Sequence, residues 1–224
     1  MFESLTLSEL PQRECGVLRA SSSTRPILWR IEENGRQAVV KDFSVNGFLF
    51  RNVIGRFLIW REEKAYRRLR GLKGVPIFYR VIDGLALVVE EIPGRSIEGL
   101  EKEERLQVDF FRELRFLVED IHQRGLAHCD LKRAPNVMVG PDKRPVIVDW
   151  SSSISEREFR LFPLNLVYRR FISDDLNGIT KLQLRHCPDS VSPEERKMLF
   201  QRSRAELFIR AVRDRLREWL QKIA

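Results

Sequence analysis

Charge interrupts this chain so often that no stretch free of Asp, Glu, Lys and Arg reaches ten residues. That pattern excludes a transmembrane helix, which needs about 20 consecutive apolar residues. The 43% of side chains that are apolar must then be gathered by folding, and 224 residues suffice for one compact unit or two small lobes. Met1 is followed by Phe2, Glu3 and a polar stretch rather than the apolar core of a secretory signal. A cytoplasmic location is expected, with peripheral attachment to the inner face of the cytoplasmic membrane as its variant. Cys15, Cys129 and Cys187 are too few and too scattered for a disulfide framework or a zinc site, so reduced thiols are expected. The balance of 40 Lys+Arg against 32 Asp+Glu, a net +8, favours acidic partners without choosing among nucleic acid, an anionic membrane, a phosphorylated lipid or a nucleotide.

The order of hydrophobic patterns gives the architecture. Residues 14–43 read as strands: a β-leaning run at 29–31, a hairpin corner at Asn34-Gly35, and a second run at 37–41. A helix is expected over about 52–72, with Phe57, Ala65, Leu69 and Leu72 on one face and a dense basic face opposite. Two more strands, 77–81 and 85–90, are joined by Asp83-Gly84 and stop at Pro93-Gly94, which places the lobe boundary so that 1–92 and 93–224 form the two domains. The second half opens with a helix over 101–124, carrying Phe110, Leu114, Leu117 and Ile121 and capped by Gly125. A short hairpin, 137–139 with 146–148, follows, and Ser192-Pro193-Glu194-Glu195 starts another helix. That helix is expected to run to the end of the chain with Phe208, Val212, Leu216, Trp219 and Ile223 on one stripe, for core packing first, membrane contact second and a nucleic-acid grip third. The expected fold class is α+β: a small antiparallel sheet with one helix, then a mostly helical, short second lobe.

The chemistry concentrates in His128-Cys129-Asp130-Leu131-Lys132-Arg133-Ala134-Pro135-Asn136, followed by the hairpin and Ile147-Val148-Asp149-Trp150. Phosphoryl transfer requires a cation on the nucleotide phosphates, oxygen ligands for magnesium and a carboxylate for the acceptor hydroxyl, and candidates occur here in that order. The segment resembles the catalytic loop and metal-binding aspartate of the protein-kinase-like superfamily. The resemblance implies an ATP- and Mg2+-dependent kinase in which Asp130 is the catalytic base, Lys132 touches the transferred phosphoryl group, and Asn136 and Asp149 hold magnesium. Ala38-Val39-Val40-Lys41 resembles the strand bearing the nucleotide lysine, with Val39 toward adenine and Lys41 toward the phosphates. Glu62 and Glu63 are the only acids between Asp42 and Asp83; Glu62, two helical turns before Leu69, is the expected partner of Lys41. Leu87 to Gly94 resembles the adenine-binding hinge, with Glu90 and Ile92 as backbone contacts.

The departures narrow the branch. The glycine-rich phosphate loop is replaced by Leu18-Arg19-Ala20-Ser21-Ser22-Ser23-Thr24, Asn136 lies six residues after Asp130, and Ser151 stands where a glycine usually follows the metal aspartate. No Ala-Pro-Glu segment follows. The chain is most similar to a small prokaryotic branch that holds RIO-type kinases and lipopolysaccharide core sugar (Kdo/heptose) kinases, the latter through Arg61 to Leu69 and Gly74-Val75-Pro76. Asp174-Asp175-Leu176 supplies a candidate for the aspartate that buttresses the catalytic loop, surface acids being the other reading. Residues 51–80 hold nine Lys+Arg and two acids, with Phe57, Ile59 and Trp60 interleaved, a face suited either to an anionic glycolipid acceptor at a membrane or to packing and solvation. His128 is expected to prop the loop by hydrogen bonding, while His122 and His186 show no partner spacing. The expected function is phosphorylation of a sugar of lipopolysaccharide core, with a nucleotide and an anionic glycolipid as partners and nucleic acid not expected. The alternatives are a RIO-like protein serine/threonine kinase and a non-catalytic pseudokinase scaffold.

Overall fold

The computed structural model describes residues 2–200 and Arg215. The stripe expected at Phe208, Val212, Leu216, Trp219 and Ile223 lies outside the described residues. Two units are present. One takes in the chain up to Glu63 together with Ile77–Glu91; the other takes in Lys64–Pro76 together with the chain from Ile92 to Phe200.

The first unit is built on an antiparallel sheet of β1 (Glu14–Arg19), β2 (Ile27–Glu33), β3 (Arg36–Asp42), β4 (Phe78–Ile82) and β5 (Ala86–Glu90), in the order β1-β2-β3-β5-β4. Asn34 and Gly35 both take positive φ, 54° and 72°, which is what a two-residue turn matching the strand twist demands. Alternation on β3 buries Ala38, Val40 and Asp42 on one face and leaves Val39 and Lys41 half-buried on the other. The Ala38 face packs with Trp29, Ile31, Ile82, Ala86 and Val88, and it is closed by Phe2, Leu5 and Leu10 from the opening segment. Sequence reading took that segment as merely polar; its three spaced apolar side chains are fully buried, each contributing roughly 2 kcal/mol. Polar latches hold the strap down: the Phe2 N–H donates to the Glu33 carboxylate, Arg80 donates to the carbonyls of Phe2 and Glu3, and Arg13 lies 3.1 Å from Glu33.

The helix expected over 52–72 instead starts at Phe48, passes through a π-helical segment at Arg51–Gly55 and continues as α1 (Arg56–Arg68). Its buried side chains are Ile59, Glu62, Ala65 and Tyr66, with Leu69 just beyond, whereas Phe57 is 48% exposed. The expected stripe was misplaced at that residue: at 100° per residue, Phe57 lies about 140° around the helix from Glu62.

In the second unit, α2 (Val108–Gln123) packs on α3 (Leu164–His186), with Arg115 donating to Thr180 and Gln183 across the pair. Phe110, Leu114, Leu117 and Ile121 are buried as their spacing predicts. Gly125, at φ 70°, closes α2 by donating its N–H to the His122 carbonyl at 2.8 Å. A hairpin of β6 (Val137–Val139) and β7 (Pro145–Ile147) is flanked by the short strand Arg95–Ser96. Residues Lys64–Pro76 join this unit because the Ile147 N–H donates to Gly74 at 2.8 Å and Arg68 reaches the Arg124 carbonyl and Ser155 Oγ. The helix start at Ser192 is a reciprocal cap on α4 (Pro193–Phe200): the Glu195 N–H donates to Ser192 Oγ at 3.2 Å, and the Ser192 N–H donates to the Glu195 carboxylate at 2.9 Å. Among the described residues no helix is long and apolar enough to cross a membrane.

Candidate active site

In the first unit, the Lys41 ammonium donates to both carboxylate oxygens of Glu62, at 2.8 and 2.6 Å. Glu62 is 2% exposed, and this pairing compensates the burial of its carboxylate. Glu62 rather than Glu63 occupies the place because it falls on the buried side of α1. Val39 sits two residues before Lys41 on the same face of β3. At the end of β5, the N–H groups of Glu90 and Glu91 are committed to Ile77 and Gln37, at 2.8 and 3.1 Å, while the Ile92 N–H makes no hydrogen bond among the described residues.

The segment that replaces the glycine loop is a tight turn. Ser22 and Arg25 exchange backbone hydrogen bonds of 3.1 and 3.3 Å. Beneath it Asn46, 6% exposed, donates its amide N–H groups to the carbonyls of Ser22, Arg25 and Ser23 at 2.7, 3.1 and 3.3 Å. Sequence reasoning missed Asn46. The signal was present, since a buried asparagine needs several partners and irregular loop carbonyls are what it finds.

In the second unit the segment from His128 to Asn136 is held through its backbone. Asp175 on α3, 1% exposed, accepts the N–H of His128 at 2.7 Å and of Cys129 at 2.8 Å, and lies 3.1 Å from His122 Nε2. Of the two aspartates left open above, Asp175 is the buttress, and His122 has a partner that no sequence spacing revealed. Cys129 takes φ 70°, a left-handed conformation uncommon for a side chain other than Gly, Asn or Asp. One turn along α3, Gly178 touches the same loop: a Cβ there would stand 2.9 Å from Lys132 N and 3.1 Å from the Leu131 carbonyl carbon, so only glycine allows the approach. His128 is a prop, its Nε2–H donating to the Val148 carbonyl at 3.0 Å while its Nδ1 accepts the Asp130 N–H at 3.3 Å. Trp150, fully buried, packs its ring 4.7 Å from that imidazole. Tyr168 is no acid or base near neutrality, because burial pushes its phenol up to about 12.

The hairpin then brings the polar residues together. The Val148 N–H donates to the Asn136 carbonyl at 3.0 Å, continuing the pairing of Val137 with Ile147, so Asn136 and Asp149 lie at the same end of β6 and β7. The Asn136 amide nitrogen donates to the Asp130 carbonyl at 3.0 Å and approaches its carboxylate at 3.5 Å. The extra residue between Asp130 and Asn136 is absorbed by a 3-10 turn at Ala134–Asn136, which leaves that contact intact. Asp149 has φ 63°, and the Ser151 hydroxyl donates to its Oδ1 at 2.8 Å, which gives a use to the serine standing at the usual glycine position. Arg133 approaches Asp130 Oδ2 at 3.4 Å, and Lys132 is exposed.

No family model matches the sequence, and no curated protein matches it. Solved structures do match. The Rio2 kinase-ADP/Mg2+-phosphoaspartate complex from Chaetomium thermophilum superposes with a TM-score of 0.59 at 16% identity, over 91% of this chain and 68% of that one. The fold is therefore protein-kinase-like. It has the two-lobed, shortened form, with an antiparallel sheet and one helix in the first lobe and a mostly helical second lobe.

Proposed function

We propose that the chain is an ATP- and magnesium-dependent phosphotransferase whose acceptor is a hydroxyl on a sugar of lipopolysaccharide core. The observation that carries the reading is that Asn136 ties Asp130, on the loop fixed by Asp175, to the end of the hairpin where Asp149 stands. Asp130 accepts the proton of the acceptor hydroxyl while its oxygen bonds to the γ-phosphorus, the bond to the β–γ bridging oxygen breaks, and ADP leaves. Lys41, kept charged and oriented by Glu62, binds the nucleotide phosphates, and Lys132 neutralises the charge on the transferred group. Val39 lies against adenine, which accepts a hydrogen bond from the Ile92 N–H and donates one to the Glu90 carbonyl. The residues fit magnesium: Asn136 has committed its amide nitrogen to Asp130, leaving its oxygen for a cation, and with the Asp149 carboxylate it offers the oxygen donors a hard ion prefers. When bound, magnesium neutralises phosphate charge.

The acceptor rests on the likeness of Arg61 to Leu69 and Gly74-Val75-Pro76 to core-sugar kinases. The fold shared with a Rio2 kinase, described with ADP and Mg2+, supports the nucleotide and also a second reading, a RIO-like protein serine kinase. Transfer of label from γ-labelled ATP into an extract separated into glycolipid and protein fractions decides between them. Label in glycolipid that vanishes with Asp130→Asn supports the first reading, and label in protein supports the second. No label sensitive to that substitution overturns both in favour of a pseudokinase scaffold.

A further inference from the structure

The first unit carries an exposed apolar surface that includes none of the nucleotide and metal residues named above. Along the helix that begins at Phe48, the side chains of Leu49, Val53, Phe57 and Trp60 recur at spacings of four, four and three, which puts them on one face. They are 55%, 56%, 48% and 51% exposed, and Phe48 at the tip is 74% exposed. A run of this kind is larger than the scattered apolar residues of an ordinary surface and marks a contact site.

The charges around it select the partner. From Phe43 to Arg61 the chain contains no acid. The flanking acids Asp42 and Glu62 are each 2% exposed and turned inward, and the next acid, Glu63, is half-buried, so cations predominate on the face. The Arg51 guanidinium stands 5.5 Å from the centre of the Phe48 ring, and that of Arg61 stands 5.6 Å from the Phe57 ring. Cations thus lie at the same height as the apolar tips. Aromatic and aliphatic tips at acyl-chain depth, with guanidinium groups level with lipid phosphates, are what an interfacial helix presents to a bilayer.

We propose that this face, from Phe48 to Trp60, docks the protein on an anionic membrane surface. The docking goes beyond the phosphotransferase reading and is read without ATP, so its failure and the failure of that reading are separately visible. The test is co-sedimentation of the full chain with vesicles of phosphatidylcholine containing about one-third phosphatidylglycerol, and with pure phosphatidylcholine vesicles. The expected result is pelleting on anionic vesicles only, reduced about tenfold in Phe48→Ser/Phe57→Ser and weakened by added salt. Ile77→Ser, at an apolar residue 51% exposed elsewhere in the same unit, and Asp130→Asn should both bind as the unaltered chain does. Three results would overturn the proposal: no pelleting on anionic vesicles, equal pelleting of the Phe48/Phe57 variant, or a dimer in solution that the Phe48/Phe57 substitutions dissolve.

Discussion

The two units hold their candidate functional groups by opposite means. In the first, side chains grip side chains and loop carbonyls: Lys41 holds Glu62, and Asn46 holds the serine turn. In the second, one buried carboxylate grips backbone N–H groups, and the candidate side chains ride on the backbone so fixed. A loop gripped at the His128 and Cys129 amides can accept an inserted residue further along without losing that hold. The serine turn has its own Ser22–Arg25 backbone pair and leans on Asn46 for its remaining carbonyl bonds.

Substitutions can break this contrast, most strongly at the reacting atoms. Asp130→Asn should lower kcat by at least about 10²-fold with the thermal midpoint unchanged, as single-turnover assays and calorimetry would show. Asp175→Ala strips the acceptor from two amides and His122, which should cost about 3 kcal/mol of stability and reduce kcat rather than raise KM. Denaturant titration beside kinetics checks both. Asn46→Ala, acting in the other unit, should cost about 1–2 kcal/mol and raise KM for ATP several-fold with kcat nearly constant. An Asp175 variant changed only in KM, or an Asn46 variant changed only in kcat, would break the contrast.

Acid gives the smallest and sharpest comparison. Burial lowers the pKa of His186 from 6.5. Its Nδ1 accepts the Leu106 N–H, and it faces Glu101, Arg105 and Arg185. The unfolded chain therefore binds a proton that the folded unit resists, so this contribution is complete above 6.5 and is lost as pH falls through the lower folded value. In the first unit, the Phe2 N–H and Arg13 hold Glu33 below its usual 4.5, and that contribution lasts until pH falls below 4.5. Hydrogen exchange at stepwise lower pH should show the second unit loosening first, and His186→Gln should remove its early step.

The contrast also explains what was legible. The hairpin at 137–147 could be read from its apolar runs and turn residues, and the Asn34-Gly35 turn because two consecutive positive φ values admit few residues. Glu62 was chosen over Glu63 by helical angle alone. The same angular reasoning failed at Phe57, where an exposed aromatic was assigned to the core because apolar character was taken as evidence of burial. Asn46, His122 and Gly178 act across 24, 53 and 46 residues of sequence, and only the folded chain puts them beside their partners. The strap of Phe2, Leu5 and Leu10 was hidden by the polar residues between its anchors.

That strap sets the conditions under which the protein can be handled. A protease cut between Arg13 and Glu14 would leave every strand intact yet uncover Trp29, Ile31, Val40 and Val88, a surface that would drive self-association. Reagents for purification or imaging should therefore be attached away from the opening segment, and a preparation that clumps on storage should first be checked for loss of residues before Glu14.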